Sequence, residues 1–365
     1  MTEYQLIGPR VGDDILASIS SCGRLAMDTE FMREKTYFAQ LCLLQISAGG
    51  GILCIDPLSN GNDRGLDQAF WSAVCTPEWV LHSARQDIEV IHHTAGRLPQ
   101  SVFDTQVAAA LLGMQPQIGY AGLVKSLFDV ELDKTHTRAD WSRRPLRPEL
   151  LQYAAEDVEY LLPAWEELSA RLDKLGRFSW AMEDSADLLD PALYNTDPGI
   201  AIERLKGARN LRGRARVAAH GLAEWREKEA LRTDRPRQWI MRDTVLLEIA
   251  VSNPRSNAAL AGIDGMAEKT ARRAGAAILE VLASATAEDS DYRPPPRPSE
   301  AQKATLKAMQ KRVSDVAAEL GIAAEVLAPR KDLSAAMLGE RDLRIFRGWR
   351  RDRFGDSLLE LLERH

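Results

Sequence analysis

Asp28 and Glu30 stand one residue apart in the run Leu25-Ala26-Met27-Asp28-Thr29-Glu30-Phe31. On a β-strand, residues i and i+2 share a face, so the two carboxylates project side by side while Met27, Thr29 and Phe31 turn the other way. Two like charges on a half-buried strand are costly unless a cation lies between them, and a hard divalent ion with oxygen ligands suits such a pair. Taken alone, so short a spacing is better explained by an edge strand with both acids in water. Two further signals bear on it. Asp87 falls in the first turn of an expected helix, where a carboxylate also complements the helix dipole. Tyr153 and Asp157 lie four apart on another, one turn from each other on a single face. Each signal is weak singly; together they are not.

The elements that must position these residues follow from periodicity. From Arg24 to about Asp56, the apolar runs RLAMDTEF, QLCLLQIS and GILCID are separated by polar or glycine-rich turns and read as a β-meander. Leu66 to Val74 has helical spacing, Trp79 to His82 reads as a short buried strand, and Ser83 is placed to cap a helix from about Arg85 to Ala95. Helices are expected from Asp104 to Gly113 and from Gly119 to Phe128, then a polar, basic connection from Leu132 to Arg147. Pro148 suits the first position of a long helix reaching at least Leu172, kinked at Pro163. The expected class is α/β with a mixed sheet.

A chain of 365 residues predicts two or three domains. Its 45% apolar and 27% charged residues are ordinary for a soluble globular protein. No apolar run reaches the roughly 18 residues needed to span a membrane, and MTEYQLIGPRVGDD is acidic and polar, so a cytoplasmic protein is expected. Cys22, Cys42, Cys54 and Cys75 lack the close spacing of zinc or redox motifs and read as reduced core residues. His82, His92 and His93 do not fit a carboxylate cage and are expected to be structural. The net charge of −6 hides a segregation: residues 149 to 190 hold eleven Asp/Glu against three Lys/Arg, and residues 203 to 243 hold six against twelve. A basic stretch on an acidic protein is a plausible phosphate footprint.

The three-part pattern resembles the DEDD exonucleases, and the tyrosine subtype in particular, since the histidine of the other subtype would fall at Gln152. The segments MDTEF, TYFAQLCLLQI from Thr36, LDKTHTRADWSRRPL from Leu132 and LQYAAEDVEYLL from Leu151 resemble the bacterial ribonuclease D family over nearly the whole chain. The resemblance implies a ribonuclease H-like exonuclease domain in residues 1–190. It implies two divalent ions, Mg2+ or Mn2+, held by Asp28, Glu30, Asp87 and Asp157. Asp28 would bridge both, Glu30 and Asp157 would hold the ion that activates water, Asp87 would hold the other, and Tyr153 would orient the attacking water. Near Tyr153, the cations Lys134, Arg138 and Arg144 with Trp141 are expected to meet substrate phosphates. Phe31 and Gln40 are weaker candidates for a terminal-nucleotide pocket, where an aromatic ring stacks on a base. The implied activity is 3′-to-5′ exoribonuclease release of nucleoside 5′-monophosphates from RNA with a free 3′ end, such as tRNA precursors, with no obligate protein partner evident. The rivals are a DNA exonuclease of the same superfamily, separated only by 2′-hydroxyl contacts, and a catalytically inactive RNA-binding protein, against which all four acids and Tyr153 argue.

Downstream, turn signals place a linker at 191–201. Residues 202–286 are helical, and Leu222, Trp225, Trp239, Leu246, Ile249, Leu260, Ile263 and Gly265 make them resemble an HRDC domain. A Pro-rich linker at 287–298 is expected to be extended. Residues 299–365 resemble a second, divergent HRDC-like domain, with Gly321 a helix C-cap. Arg341, Arg344, Arg347, Arg350, Arg351 and Arg353 recur at spacings that could gather several onto one helix face, a footprint for RNA backbone or a merely solvated surface. Removing 299–365 is expected to lower RNA affinity or selectivity while sparing hydrolysis of a short oligonucleotide.

Overall fold

The structure is a computed structural model and describes residues 2–59, 65–133, 139–286 and 299–363. Six strands form one mixed sheet: β1 (Tyr4–Ile7), β2 (Arg24–Met32), β3 (Gln40–Ser47), β4 (Ile52–Ile55), β5 (Glu78–Leu81) and β6 (Val102–Asp104), in the order β1-β4-β3-β2-β5-β6. The three runs of the meander are β2, β3 and β4. β3 and β4 pair antiparallel, with Leu44 opposite Ile55 and Ser47 opposite Ile52. The turn between them uses Gly49 and Gly51 at φ of 92° and 140°, where a side chain would be strained. β1 pairs parallel with β4 at the sheet edge, and its two middle residues are exposed, which left it without a strand signal in the sequence. β5 pairs parallel with β2 only from Arg24 to Ala26, so the half of β2 that carries Asp28 and Glu30 runs on past the end of β5.

Around the sheet lie α1 (Asp13–Ser21), α2 (Gln68–Val74), α3 (Arg85–Ala95), α4 (Thr105–Leu111), α5 (Tyr120–Phe128), α6 (Pro148–Glu159), α7 (Leu161–Lys174) and α8 (Phe178–Ala186). The long helix expected from Pro148 is two helices, broken at Tyr160, which has φ −99° and ψ 3°. Pro163 explains the break, because its ring clashes with the carbonyl four residues back, at Glu159. Tyr120 repairs the gap: its hydroxyl donates to the Glu156 carbonyl at 3.2 Å and accepts the Tyr160 N–H at 3.0 Å. α6 buries Leu150, Leu151, Ala154, Ala155 and Val158 against a core layer that includes Ala26, Cys42, Cys54 and Val80 of the sheet. That helical stripe leaves Tyr153 and Asp157 on the flank of the helix.

The chain divides into two compact units, one of residues 2–32, 41–194 and 299–363, the other of residues 33–40 and 195–286. In the second, α9 (Gly213–Thr233), α10 (Arg237–Ile240), α11 (Asp243–Ser252), α12 (Asn257–Ala261) and α13 (Glu268–Ser284) close around Leu222, Leu246, Ile249, Leu260, Ile278 and Leu282. Ile202 already belongs to this core. Glu227 is buried among Arg237, Arg204 and the Tyr37 hydroxyl, and Asp234 accepts the backbone N–H groups of Tyr37 and Phe38, both at 3.0 Å.

The C-terminal helices belong to the first unit. α14 (Glu300–Leu320) opens on a capping box of Ser299 and Gln302 and closes on Gly321 at φ 65°, the expected C-cap. It is followed by α15 (Ala324–Leu327), α16 (Arg330–Met337) and α17 (Gly348–Arg350), which passes through a π-helical stretch (Arg351–Gly355) into α18 (Asp356–Glu363). Met309, Val313, Leu327, Trp349 and Phe354 of this segment share one core with Phe103, Leu168, Leu172 and Trp180. Trp180 and Trp349 stack with ring centroids 4.4 Å apart.

The arginine run also departs from expectation. Arg350 is 2% exposed and forms a two-pronged ion pair with Asp184, and its guanidinium also donates to the carbonyls of Leu327 at 2.9 Å and Val326 at 2.8 Å. Arg344 reaches Asp184 at 3.3 Å, Arg353 lies over the Trp180 ring, Arg341 donates to the Ala336 carbonyl at 2.8 Å, and Arg347 and Arg351 pair with Asp342 and Asp356. The run straddles an irregular helix, so its spacing does not produce one solvated basic face. Several of its cations instead fasten the segment to α8.

Candidate active site

The i, i+2 geometry of β2 and the i, i+4 geometry of α6 converge. Carboxylate oxygens of Asp28, Glu30 and Asp157 lie within 4.8 Å of one another, and all three residues are half-buried, leaving an opening to solvent. Burial first, then repulsion from Asp87, Asp157 and Glu30, holds the Asp28 carboxyl well above the usual carboxylate range. Glu30 is pushed up to about 9 by burial and then by Asp157 and Asp87. Asp157 is pushed up to about 7 by burial, against the downward pull of the Tyr153 hydroxyl that donates to it. Tyr153 itself is held above its ordinary value by burial and the surrounding acids, so it is a protonated donor at neutral pH. None of the largest influences on these groups is a cation. A cluster of hard oxygen donors that repel one another and have no basic partner among the described residues is the donor set that a divalent ion fits.

Asp87 stands beside this trio. It is the third residue of α3, is 7% exposed, and accepts the Thr29 backbone N–H at 3.2 Å and the Thr29 hydroxyl at 2.5 Å. Because β5 has ended, that N–H has no β5 partner, and the carboxylate takes the place of the missing strand. Burial pushes Asp87 up to about 6, and the Thr29 hydrogen bonds oppose it. Ser83 does not cap α3 as expected. It takes the left-handed conformation, φ 59°, and the turn is held instead by Asp104, whose carboxylate accepts the N–H groups of Ser83 at 3.0 Å and Ala84 at 2.9 Å. Thr29 and Asp104 were not singled out in the sequence. Thr29 sits on the strand face opposite the acids, and the only local sign at Asp104 is its place as the N-cap of α4.

The expected phosphate contacts fare differently. Lys134 and Arg138 lie outside the described residues. Arg144 corrects its expectation: Nε and Nη2 pair with Asp56 at 2.7 Å each, Nη2 also donates to the Cys42 carbonyl, and Nη1 donates to the carbonyls of Trp141 and Arg143. All five guanidinium donors are used within the protein, leaving none for a phosphate. Trp141 is also corrected. It is 3% exposed, within the layer under α6, with its ring 6.4 Å from that of Tyr153, so it is a core residue that presents no surface to a phosphate. Phe31 is half-buried next to Glu30, and Gln40 is exposed at the first position of β3. His82 is hydrogen-bonded through both ring nitrogens, to the Thr105 hydroxyl and the Ile118 carbonyl, each at 2.9 Å. The four cysteines are free thiols, and Cys42 and Cys54 are fully buried.

Comparison with known proteins agrees with this geometry. A family model described as 3′-5′ exonuclease matches residues 12–173, which contain all four acids and Tyr153, and one described as HRDC domain matches residues 217–282. The chain is 38% identical to ribonuclease D of Gluconacetobacter diazotrophicus over 92% of its own length and 87% of the relative's. It is 39% identical to ribonuclease D of Acidiphilium cryptum over 93% and 89%. The crystal structure of Escherichia coli RNase D, an exoribonuclease involved in structured RNA processing, superposes with a TM-score of 0.86 at 29% identity, covering the whole of both chains. Strand acids, helix acid and tyrosine, the helical unit downstream and these likenesses agree: the chain belongs to the ribonuclease D family of 3′-to-5′ exoribonucleases.

Proposed function

We propose that this chain shortens RNA from a free 3′ end, releasing nucleoside 5′-monophosphates, and that its substrates are structured RNAs with unpaired 3′ tails such as tRNA precursors. The observation that carries the reading is the convergence of Asp28, Glu30 and Asp157 within 4.8 Å, with the Tyr153 hydroxyl donating to Asp157. Asp28, Glu30, Asp157 and Asp87 would together hold two divalent ions, Mg2+ or Mn2+. Such ions lower the pKa of a bound water and stabilise the charge on the leaving oxygen. The chain's own residues do the rest. Tyr153, protonated at neutral pH and seated on Trp141, orients the attacking water without accepting its proton. Thr29 keeps Asp87 turned toward β2. Phe31 is the candidate stacking surface for the terminal base, and Gln40, Lys134 and Arg138 are the remaining candidates for substrate contact. We also propose that the helical unit built on α9 to α13 restricts which RNA ends are used; the HRDC-like kinship of residues 299–365 rests on sequence resemblance.

The test is a product ladder from 5′-labelled single-stranded RNA and its DNA counterpart, with Mg2+, Mn2+ or chelator, for the natural protein and Asp157→Asn. Stepwise, metal-dependent shortening of RNA that is lost in the variant supports the reading. Equal attack on DNA widens the substrate class. Robust cleavage by Asp157→Asn, or by Asp28→Asn, overturns the assignment of the acids.

A further inference from the structure

Asp104 ends β6, is 3% exposed, and is not a member of the carboxylate trio. As the N-cap of α4 it needs only one bond, Oδ1 accepting the Gln106 N–H at 2.8 Å. It makes two more, to a different element. Oδ1 also accepts the Ser83 N–H, and Oδ2 accepts the Ala84 N–H. Its own backbone N–H donates to the buried Ser185 hydroxyl of α8 at 3.1 Å. Ser83 and Ala84 form the turn that launches α3, with Ser83 in a left-handed conformation that a non-glycine residue holds only when its surroundings impose it. The N-cap residue of α3, Ala84, has no side chain able to cap the helix, and Asp87 follows three residues later.

We propose that Asp104 is a positioning residue for the reaction: it clamps the β5–α3 turn so that Asp87 is presented beside Asp28 at the height set by Thr29. The proposal rests on the reading of Asp87 as a metal ligand. Its chemistry is specific to a carboxylate. In Asp104→Asn, Oδ1 can still accept from Ser83 and Gln106, but the amide nitrogen then faces the Ala84 N–H, donor against donor; Asp104→Ala removes all three bonds.

The experiment uses the full chain. Mn2+ binding is measured by calorimetry on metal-free protein, amide hydrogen exchange is followed across residues 81–88, and kcat and KM are measured on a short oligoribonucleotide, for Asp104→Asn, Asp104→Ala, Asp87→Asn and Asp67→Ala. Asp67 caps α2 through the Phe70 N–H at 2.8 Å, so its loss controls for the general effect of removing a cap. The expected result is Mn2+ binding weaker by about tenfold or more in both Asp104 variants, as when the partner of a metal ligand is removed, with KM for RNA unchanged. Faster exchange is expected at Ser83 and Ala84 in the metal-free state, and Asp67→Ala should lower only the melting temperature. Wild-type Mn2+ affinity and exchange in Asp104→Asn, with binding lost in Asp87→Asn, overturns the proposal and leaves Asp87 a ligand. Wild-type binding and turnover in Asp87→Asn overturns the ligand reading, and the proposal with it.

Discussion

Two helical regions follow the exonuclease residues, and they are built on opposite plans. Residues 195–286 carry their own apolar core, from Ile202 and Leu222 to Leu282. Residues 299–363 have no separate core: Met309, Trp349 and Phe354 pack with Phe103, Leu168 and Trp180, and Asp184 of α8 accepts their arginines. Similar helical periodicity thus yields an independent module in one case and part of the catalytic unit in the other. Helices bury whatever face is apolar, and the pattern along one helix does not name the partner that covers it.

The difference can be broken most severely by truncation after residue 298. Residues 299–365 looked dispensable for hydrolysis from sequence; the shared core predicts instead that the truncated protein loses its cooperative catalytic-unit melting transition and its activity on a short oligonucleotide, checked by circular dichroism and by the product ladder. Full activity of the truncated chain would show that the shared core is not needed. Next in size is Arg350→Leu. It leaves Asp184 short of its main buried partner and should cost about 3–5 kcal/mol, much of which the double variant with Asp184→Leu should recover. Leu246→Ala, in the core of the other unit, should cost about 2–5 kcal/mol but lower only the transition of that unit, leaving hydrolysis of a short oligonucleotide unchanged.

pH sharpens the contrast because the two units carry buried acids shifted in opposite directions. Asp87, Asp157 and Glu30 are raised, chiefly by burial, to about 6, 7 and 9. Groups with raised folded values bind more protons folded than unfolded, so their contribution is present below about pH 4 and is lost as pH rises through those values. The metal-free catalytic unit should therefore melt lower at pH 8 than at pH 5, and Mg2+ should narrow the gap. Glu227 runs the other way: burial raises it, but hydrogen bonds from Arg237 and Tyr37 outweigh that and hold it below its ordinary value. Its contribution is lost only as pH falls below about 4.5. Differential scanning calorimetry from about pH 3 to pH 9, with and without Mg2+, reads both, and parallel shifts of the two transitions would contradict the assignment. The smallest effect is expected from Trp239→Ala. That residue is 54% exposed, so the unit should lose no more than about 0.5 kcal/mol, measured by urea unfolding.

The candidate site was more legible than its supports. Asp28 with Glu30, and Tyr153 with Asp157, are pairs within single elements, and the periods of strand and helix place each pair on one face without tertiary information. Arg144 and Trp141 were misassigned because guanidinium and indole groups that grip nucleic acid are the same groups that satisfy buried carbonyls and fill a layer under a helix. Nothing near Arg144 in the chain announces that Asp56, 88 residues away, will take it. Asp104 was read only as the start of a helix for the same reason, since its partners at Ser83, Ala84 and Ser185 are distant in the chain.

What this sequence determines by itself is local: the strand acids, the helix acid with its tyrosine, the capping box at Ser299, the glycine that ends α14, and the interruption that Pro163 imposes. These depend on backbone geometry over a few residues, which each side chain influences directly. The tertiary structure alone decides that Asp87 replaces a strand partner for Thr29, that Arg144 is spent on Asp56, and that the last helices join the catalytic core. Those outcomes turn on which buried donors and apolar faces meet across long stretches of chain, where an unpaired polar group or uncovered face is costly whatever its neighbours in sequence.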